Sequence, residues 1–408
     1  MSRLIRCTSA GVVGAVLLAA GMGSASAGGK IAIDDTKWIS IGAAARTSFT
    51  TIEDAAPNGD DWSSDFNLDN ARIYVNGQIH KNIKFELNTE CVFCGNSALE
   101  ELVVLDAIAK FELSPALNLW AGRMLVPAER QELNGPFYST TYDAFKTPFY
   151  PSDFSVDFGD GGAGVYARDH GVNLWGAIGP ECALQYEFGL FNGLQSGSIT
   201  SARNGPNQDD NLLFGARVAY NFLSVEKNPG YYTSGTYYGG GGNIFTVAFA
   251  MQYQEDGAGT FLNQGDFFGF SIDAIYEATL ESKHVVTFNG EYKNFDSDYS
   301  TAAFTDGANC FCMFDGDSYS IVGLFMFPET TGIGKFQPYV RFTDINPDNS
   351  SDRDEIEGGV NYIIDGHNAR ISMFYQHGDI ATKGIVNYAP TVTGQDVGAF
   401  KIAVQLQL

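Results

Sequence analysis

Two closely spaced cysteine pairs are the residues in this chain that could do redox or metal chemistry. Cys91 and Cys94 form a C-x-x-C pair, but Gly95 follows where covalent haem attachment requires histidine. A redox motif of the thioredoxin type needs an α/β context that the sequence lacks. We therefore predict a local disulfide between Cys91 and Cys94, with metal binding as the alternative.

The second pair, Cys310 and Cys312, is separated by a single residue. Disulfide geometry constrains how two Cβ atoms can meet, so a bridge across one residue is expected to be strained. A cross-link to another loop or chain and thiol chemistry are alternatives to such a bridge, and the role of Cys310 and Cys312 stays open. A four-sulfur zinc site is a further alternative if the two pairs meet. The role of Cys182 stays open.

No other residues form a catalytic or metal-ligand pattern. The chain has no G-x-S-x-G, P-loop or H-E-x-x-H motif, and its histidines lack ligand spacing. His80 and His367 fall at predicted turns, where we expect them to be solvated. The acidic stretch 344–355 has oxygen ligands that suit Ca²⁺ but lacks EF-hand spacing, so we expect a solvated loop. The sequence predicts no enzyme activity, no cofactor and no metal.

Regular alternation of polar and apolar residues is the strongest pattern in the chain. In residues 70–80, Ile73 and Val75 lie on one face of an extended chain, and Arg72 lies on the other. A period of two predicts strands with one apolar and one polar face. Such strands form either a half-buried sheet or a membrane barrel with a wet lumen.

The length of the alternating segments favours the membrane barrel. Strands that cross a membrane need about 9–11 residues, whereas strands in soluble proteins have about 5–6. Sixteen segments qualify, an even number as in bacterial outer-membrane barrels. They are 38–50, 66–80, 82–90, 100–113, 116–126, 169–178, 183–193, 211–222, 243–255, 267–280, 284–295, 317–328, 335–345, 353–364, 368–378 and 397–408.

The strand phase predicts which charges face the lumen. A charge that faces lipid at mid-membrane costs about 2–4 kcal/mol for Arg or Lys, whereas one that faces the lumen stays hydrated. Any single wall charge is expected to join a cross-strand ion network, and the set as a whole shapes ion traffic. The predicted pore-lining residues are Arg46, Arg72, Lys84, Glu86, Asp106, Lys110, Glu112, Arg217, Arg341, Arg370 and Lys401, and Glu90, Glu187, Asp273, Glu277, Glu291, Lys293 and Glu357 share their face.

The first residues and the composition indicate export. Arg3 and Arg6 precede an apolar run over 10–23, and an A-x-A site ends at Ala27, which is the pattern of a secretory signal peptide. We assign 1–27 to the signal peptide and 28–408 to one barrel domain. The formal net charge of −24 disfavours nucleic acid as a partner.

Connections between the predicted strands alternate between short and long, as expected for periplasmic turns and outer loops. The connection 223–242 breaks this rule, because it should be a short turn but has about twenty residues.

Five segments resemble the phosphate-selective porins of the porin O and P type. They are NARIYVNGQIHKNIKFELN (70–88), VLDAIAKFEL with NLWAGRMLVPAERQEL (104–133), RDHGVNLWG with EFGLFNG (168–193), KNPGYYTSGTYYGGGGNIFTVAFAMQYQ (227–254) and EGGVNYIIDGHNARISMFYQH (357–377). The resemblance implies a sixteen-stranded outer-membrane barrel in a Gram-negative bacterium, a homotrimer, and a third outer loop (127–168) that folds inward. It also implies anion uptake.

The third outer loop departs from that family, because acidic residues outnumber basic ones by two to one. The bases are Arg130, Lys146 and Arg168, and the acids are Glu129, Glu132, Asp143, Asp153, Asp157 and Asp160. We predict an all-β porin for passive diffusion of small hydrophilic solutes and ions, with a constriction formed by Arg130, Glu132, Asp143, Lys146 and Asp153. Local fields set what enters a pore, so the loop predicts weak cation preference. The alternatives are a phosphate- or oxyanion-selective channel and a barrel scaffold that docks an electron-transfer partner.

Overall fold

The structure is a computed structural model, and it describes residues 28–91, 102–150, 167–195, 205–226, 232–305, 310–312, 314–380, 388, 390 and 392–408. The predicted signal peptide, together with Cys94 and Asp153, lies outside these residues. No helix in this part of the chain is long and apolar enough to cross a membrane.

The described chain is built almost entirely of strands. They are β1 Gly29–Ala32, β2 Trp38–Ile52, β3 Ser63–His80, β4 Ile83–Cys91, β5 Leu102–Ser114, β6 Leu117–Leu125, β7 Arg168–Ile178, β8 Leu184–Phe191, β9 Leu213–Asn221, β10 Ile244–Gly259, β11 Gln264–Thr279, β12 Val285–Ser297, β13 Gly316–Met326, β14 Lys335–Pro347, β15 Arg353–Asp365, β16 Ala369–Gly378 and β17 Val397–Gln407. Helix α1 is Arg130–Tyr138, and short 3₁₀ turns cover Pro180–Cys182 and Thr301–Thr305.

Sixteen of these strands, β2 to β17, close into one antiparallel barrel. Each pairs with its neighbour in sequence, and β17 closes the ring against β2, from Ala399 opposite Ile52 to Gln407 opposite Ala44. The sixteen predicted strands are thereby confirmed, with ends that differ by a few residues. The short strand β1 was not predicted; it pairs with the start of β2, where Ala32 faces Trp38.

The outer surface of the barrel is apolar and carries aromatic side chains at both ends. Exposed apolar residues alternate with buried ones along the strands, as at Ile73, Phe111 and Ile402. Near the short turns, Phe222 stacks on Phe245 with ring centroids 5.1 Å apart. Aromatic girdles at both interfaces and an apolar band between them are typical of barrels in a bilayer. The chain at this level therefore faces lipid.

Charged and polar side chains occupy the opposite face of each strand and point into the barrel. Arg72 and Lys110, which alternate with the exposed residues above, are buried, and Lys401 is half-buried. The predicted phase of the strands is therefore the observed one. A closed barrel satisfies the backbone hydrogen bonds of its strands internally, as a membrane span requires.

Candidate functional site

The predicted wall charges lie together inside the barrel and form ion pairs. Arg217 contacts Asp273 at 2.5 Å, Arg168 contacts Asp106 at 3.0 Å, and Arg341 contacts Glu357 at 2.5 Å. Further cross-strand pairs are Arg72–Glu90, Lys84–Glu112, Lys110–Glu86 and Arg341–Glu355. The expected ion network is thus present.

The hydration expected of these charges is wrong for most of them. The side chains of Arg72 and Glu90 are 7% and 0% exposed, and those of Lys110 and Glu86 are 5% and 3% exposed. Other chain segments cover this wall, so the charges are satisfied by each other rather than by water.

The L3 segment, residues 126–150, is the first of these covering segments. Helix α1 lies in it and is kinked at Gly135, whose φ of 57° suits glycine. Lys146 contacts Glu355 of β15 at 2.8 Å, and Asp143 contacts Lys401 of β17 at 2.8 Å. Glu129 contacts Lys293 of β12 at 2.6 Å. The segment therefore touches wall strands on different sides of the barrel.

Two wall arginines bind the L3 backbone instead of a carboxylate. Arg370 donates hydrogen bonds to the carbonyl oxygens of Ser139 at 2.8 Å and Thr141 at 3.2 Å. Arg46 donates to the carbonyl of Tyr142 and lies 3.9 Å from the centroid of its ring. Both guanidinium groups thus hold the L3 segment against the wall.

The connection between β9 and β10 is a second covering segment, and sequence reasoning missed its role. We define the inner segment as its described residues, 222–226 and 232–243. Ser224 N donates to Asn243 O at 2.9 Å, so the two strands continue as a ladder before the chain enters the barrel. The only sequence signal was the length of a connection expected to be a short turn.

The inner segment is held by the wall at several points. Glu277 of β11 accepts hydrogen bonds from Thr236 Oγ1 at 2.7 Å, Tyr237 N at 2.9 Å and Gly239 N at 2.8 Å. Elsewhere on the wall, five strands away from β11, Tyr232 packs on Trp120 of β6, with ring centroids 5.9 Å apart. The segment therefore lies inside the barrel and contacts wall strands that are not neighbours.

His367 is buried by this segment, which corrects the expectation of a solvated turn residue. Its Nε2 lies 3.0 Å from Ser234 Oγ and 3.0 Å from the carbonyl oxygen of Thr236. Burial, reinforced by the nearby charge of Arg370, lowers the pKa of His367 to about 3. The imidazole is therefore neutral at pH 7.

The Cys310–Cys312 pair, whose role the sequence left open, is joined in a disulfide. Their Cα atoms are 5.0 Å apart, within the range that a disulfide requires. The residue between them, Phe311, is buried and forms an isolated bridge with Gly259. Because Cys94 lies outside the described residues, its pairing with Cys91 stays a prediction.

Three acids, one from strand β15 and two from the connection between β16 and β17, meet at the loop end of the barrel. Carboxylate oxygens of Asp354, Asp379 and Asp396 all lie within 4.8 Å of one another. Only Asp354 belongs to the acidic stretch that the sequence singled out. The group is partly exposed, and exposed acidic groups of this kind need no ion.

Solved structures share this fold at low sequence identity. The chain superimposes on an anion-selective porin from Comamonas acidovorans with a TM-score of 0.57 and 14% identity, covering 91% of this chain and 100% of that one. The OmpF complex with daunomycin from Salmonella typhi gives a TM-score of 0.58 at 13% identity, covering 93% and 100%. OprB of Pseudomonas putida gives 0.57 at 8% identity, covering 92% and 95%.

No protein-family model matches the sequence, and no curated protein sequence matches it either. The resemblance to the O and P type is therefore not supported by a family match. The closed barrel, its apolar exterior and its charged interior define the class: this is an outer-membrane β-barrel with the porin fold.

Proposed function

We propose that the chain is a porin for passive diffusion of small hydrophilic solutes and ions, weakly cation-preferring, with the inward-folded L3 segment as its constriction. The sieve would be built from Arg130, Glu132, Asp143 and Lys146, together with Asp153. The proposal includes a homotrimer, as the family resemblance implies.

The ion pairing of the basic wall residues carries the proposal on selectivity. Arg72, Lys110, Arg217 and Arg341 each contact a wall carboxylate. An oxyanion such as phosphate would have to displace that carboxylate to bind, and breaking a buried pair is costly. These bases therefore do not form a free anion ladder in the described wall.

Two residues favour the alternative of an oxyanion-selective channel. The guanidinium groups of Arg46 and Arg370 bond to backbone carbonyls and an amide oxygen rather than to acids. If the L3 segment moves away, both would offer donors to phosphate, which arginine binds well. This alternative requires Arg46 and Arg370 to release the L3 backbone, whereas weak cation preference leaves both contacts in place.

Reversal potentials across planar bilayers test the selectivity. Under a gradient of dilute KCl we expect weak cation preference, which fades towards 1 M because the screening length falls to about 3 Å. A clear anion preference, or block of the current by phosphate that saturates at low concentration, would support the oxyanion channel instead. Absence of any conductance would leave only a scaffold role, such as docking an electron-transfer partner.

A further inference from the structure

The L3 segment and the inner segment meet inside the barrel, and the contact centres on Arg130. Arg130 donates to both carboxylate oxygens of Glu226 at 2.8 Å, and Nη1 also donates to the carbonyl of Ser234 at 3.0 Å. Its Nε contacts Asp273 of β11 at 3.3 Å. One side chain thus joins helix α1, the inner segment and the wall.

Further hydrogen bonds extend this contact along α1. Thr233 Oγ1 lies 2.9 Å from the carbonyl oxygen of Arg130 and 2.6 Å from Asn134 Oδ1. Gly235 N donates to the carbonyl of Tyr138 at 2.9 Å. A side chain at Gly235 would meet the backbone of Thr140, since a Cβ there would lie 2.7 Å from its nitrogen. The two segments are therefore in direct backbone contact.

Small polar cavities lie on either side of Arg130. One is lined by Arg130 with Gln185, Glu187, Arg217 and Glu226, and has room for about one water molecule. The other, of similar size, is lined by Arg130 with Asn134, Asp273, Asn289 and Glu291. A solute that passes between these two cavities must displace Arg130 or the segments that hold it.

Glu187 lines the first cavity and takes no part in the ion pairs of Arg130 and Arg217. It is 1% exposed, and neither of its oxygens has a hydrogen-bond partner among the described residues. Glu187 is therefore a polar group of the cavity lining that a passing solute would meet.

We infer that the contact between the L3 segment and the inner segment is the gate that selects solutes by size and charge, with Arg130 and Glu226 as its latch. This inference rests on the proposed porin function. The barrel is closed by hydrogen bonds between neighbouring strands, so its radius is fixed, whereas the two inserted segments are held mainly by side-chain hydrogen bonds. Passage of a solute therefore requires the two segments to separate. The inner segment takes part in this movement as fully as the L3 segment.

A reversible cross-link tests the gate. The double variant Asn134→Cys, Thr233→Cys places two thiols where the side chains now touch. Oxidation should hold the segments together and abolish most of the bilayer conductance, and reduction should restore it in the same sample. The parent protein, treated with the same oxidant and reductant, controls for the native cysteines, and mass spectrometry verifies the bond.

A shortened variant gives the opposite change. Replacing residues 225–242 by Asn-Gly joins Ser224 to Asn243 as a two-residue hairpin, which suits the ladder already present there. We expect its single-channel conductance to be several-fold larger than that of the parent.

The two failures are distinguishable. If the oxidised double variant conducts like its reduced form, the gate is wrong and the porin stands. If neither the parent nor the shortened variant conducts after correct folding is shown by heat resistance on gels, the porin function itself is wrong.

Discussion

Lys84 of β4 and Glu112 of β5 form a wall ion pair that keeps access to water. Their side chains are 33% and 24% exposed, whereas those of the next pair along the wall, Lys110 and Glu86, are 5% and 3% exposed. The two pairs share the same strands, so the difference arises from what covers them. The pair of Lys84 and Glu112 is therefore a place where a wall charge can act on a passing ion.

Neutralising Glu112 and neutralising Lys84 should shift the ion selectivity in opposite directions. Glu112→Gln leaves Lys84 uncompensated and should move the reversal potential towards anion preference. Lys84→Gln, the matched control, should move it towards cation preference. Because the pair is partly exposed, neither change should cost more than about 1 kcal/mol of stability. Equal shifts of the same sign would show that these residues lie off the permeation path.

The lipid-facing assignment predicts a cost that depends on position. Ile402 is 41% exposed in the middle of β17, and Leu262 is 69% exposed in the connection between β10 and β11. Ile402→Lys should destabilise the barrel by about 2–4 kcal/mol, and Leu262→Lys should cost close to nothing. Urea titration of folding into lipid vesicles measures both. Similar costs at the two positions would mean that β17 does not face lipid.

The barrel was predictable because its pattern is local. Side chains in a strand alternate strictly, so a polar residue such as Arg72 and an apolar one such as Ile73 can be assigned to faces without knowing any partner strand. Strand length then separated a membrane barrel from a soluble sheet. Sixteen strands and their phases followed from these two local quantities.

The contacts of the L3 segment and the inner segment inside the barrel were not predictable in the same way. Arg130 and Glu226 are 96 positions apart, and Ser234 and His367 are 133 apart. No periodicity connects such residues, because each lies in a connection between strands whose path is set by tertiary contacts. The expectation of hydrated wall charges failed for this reason, as did the expectation of a solvated His367.

We predict two disulfide bonds, Cys91–Cys94 and Cys310–Cys312, each between cysteines that are close in sequence. Thiol labelling of unfolded, unreduced protein should leave Cys310 and Cys312 unmodified, and the same is expected of Cys91 and Cys94. An exported protein reaches a compartment where disulfides form and persist. Peptide mapping after labelling assigns each pair separately, with a reduced sample as the control. Full labelling of both members of a pair would exclude its bond.

The burial of His367 predicts a pH dependence of stability that carries a definite sign. The charged and titratable groups around its ring are Arg370 of β16, Tyr138 of α1 and Tyr238 of the inner segment, and its pKa in the fold is about 3. In the unfolded chain the pKa of this histidine is about 6.5. Between pH 6.5 and 3 the unfolded state therefore binds a proton that the folded state does not bind. Stability contributed by the neutral imidazole is therefore complete above about pH 6.5 and is lost as the pH falls towards 3.

Comparison with His367→Gln isolates this contribution. Glutamine cannot titrate, so the variant should lose less stability than the parent between pH 6.5 and 5, a range in which few carboxylates protonate. Each pH unit in that range changes the folding equilibrium of the parent by up to about tenfold through this group. Thermal unfolding in detergent at several pH values measures the difference in slope. Parallel slopes for the two proteins would mean that His367 is accessible to protons in the folded state, and that the inner segment does not cover it.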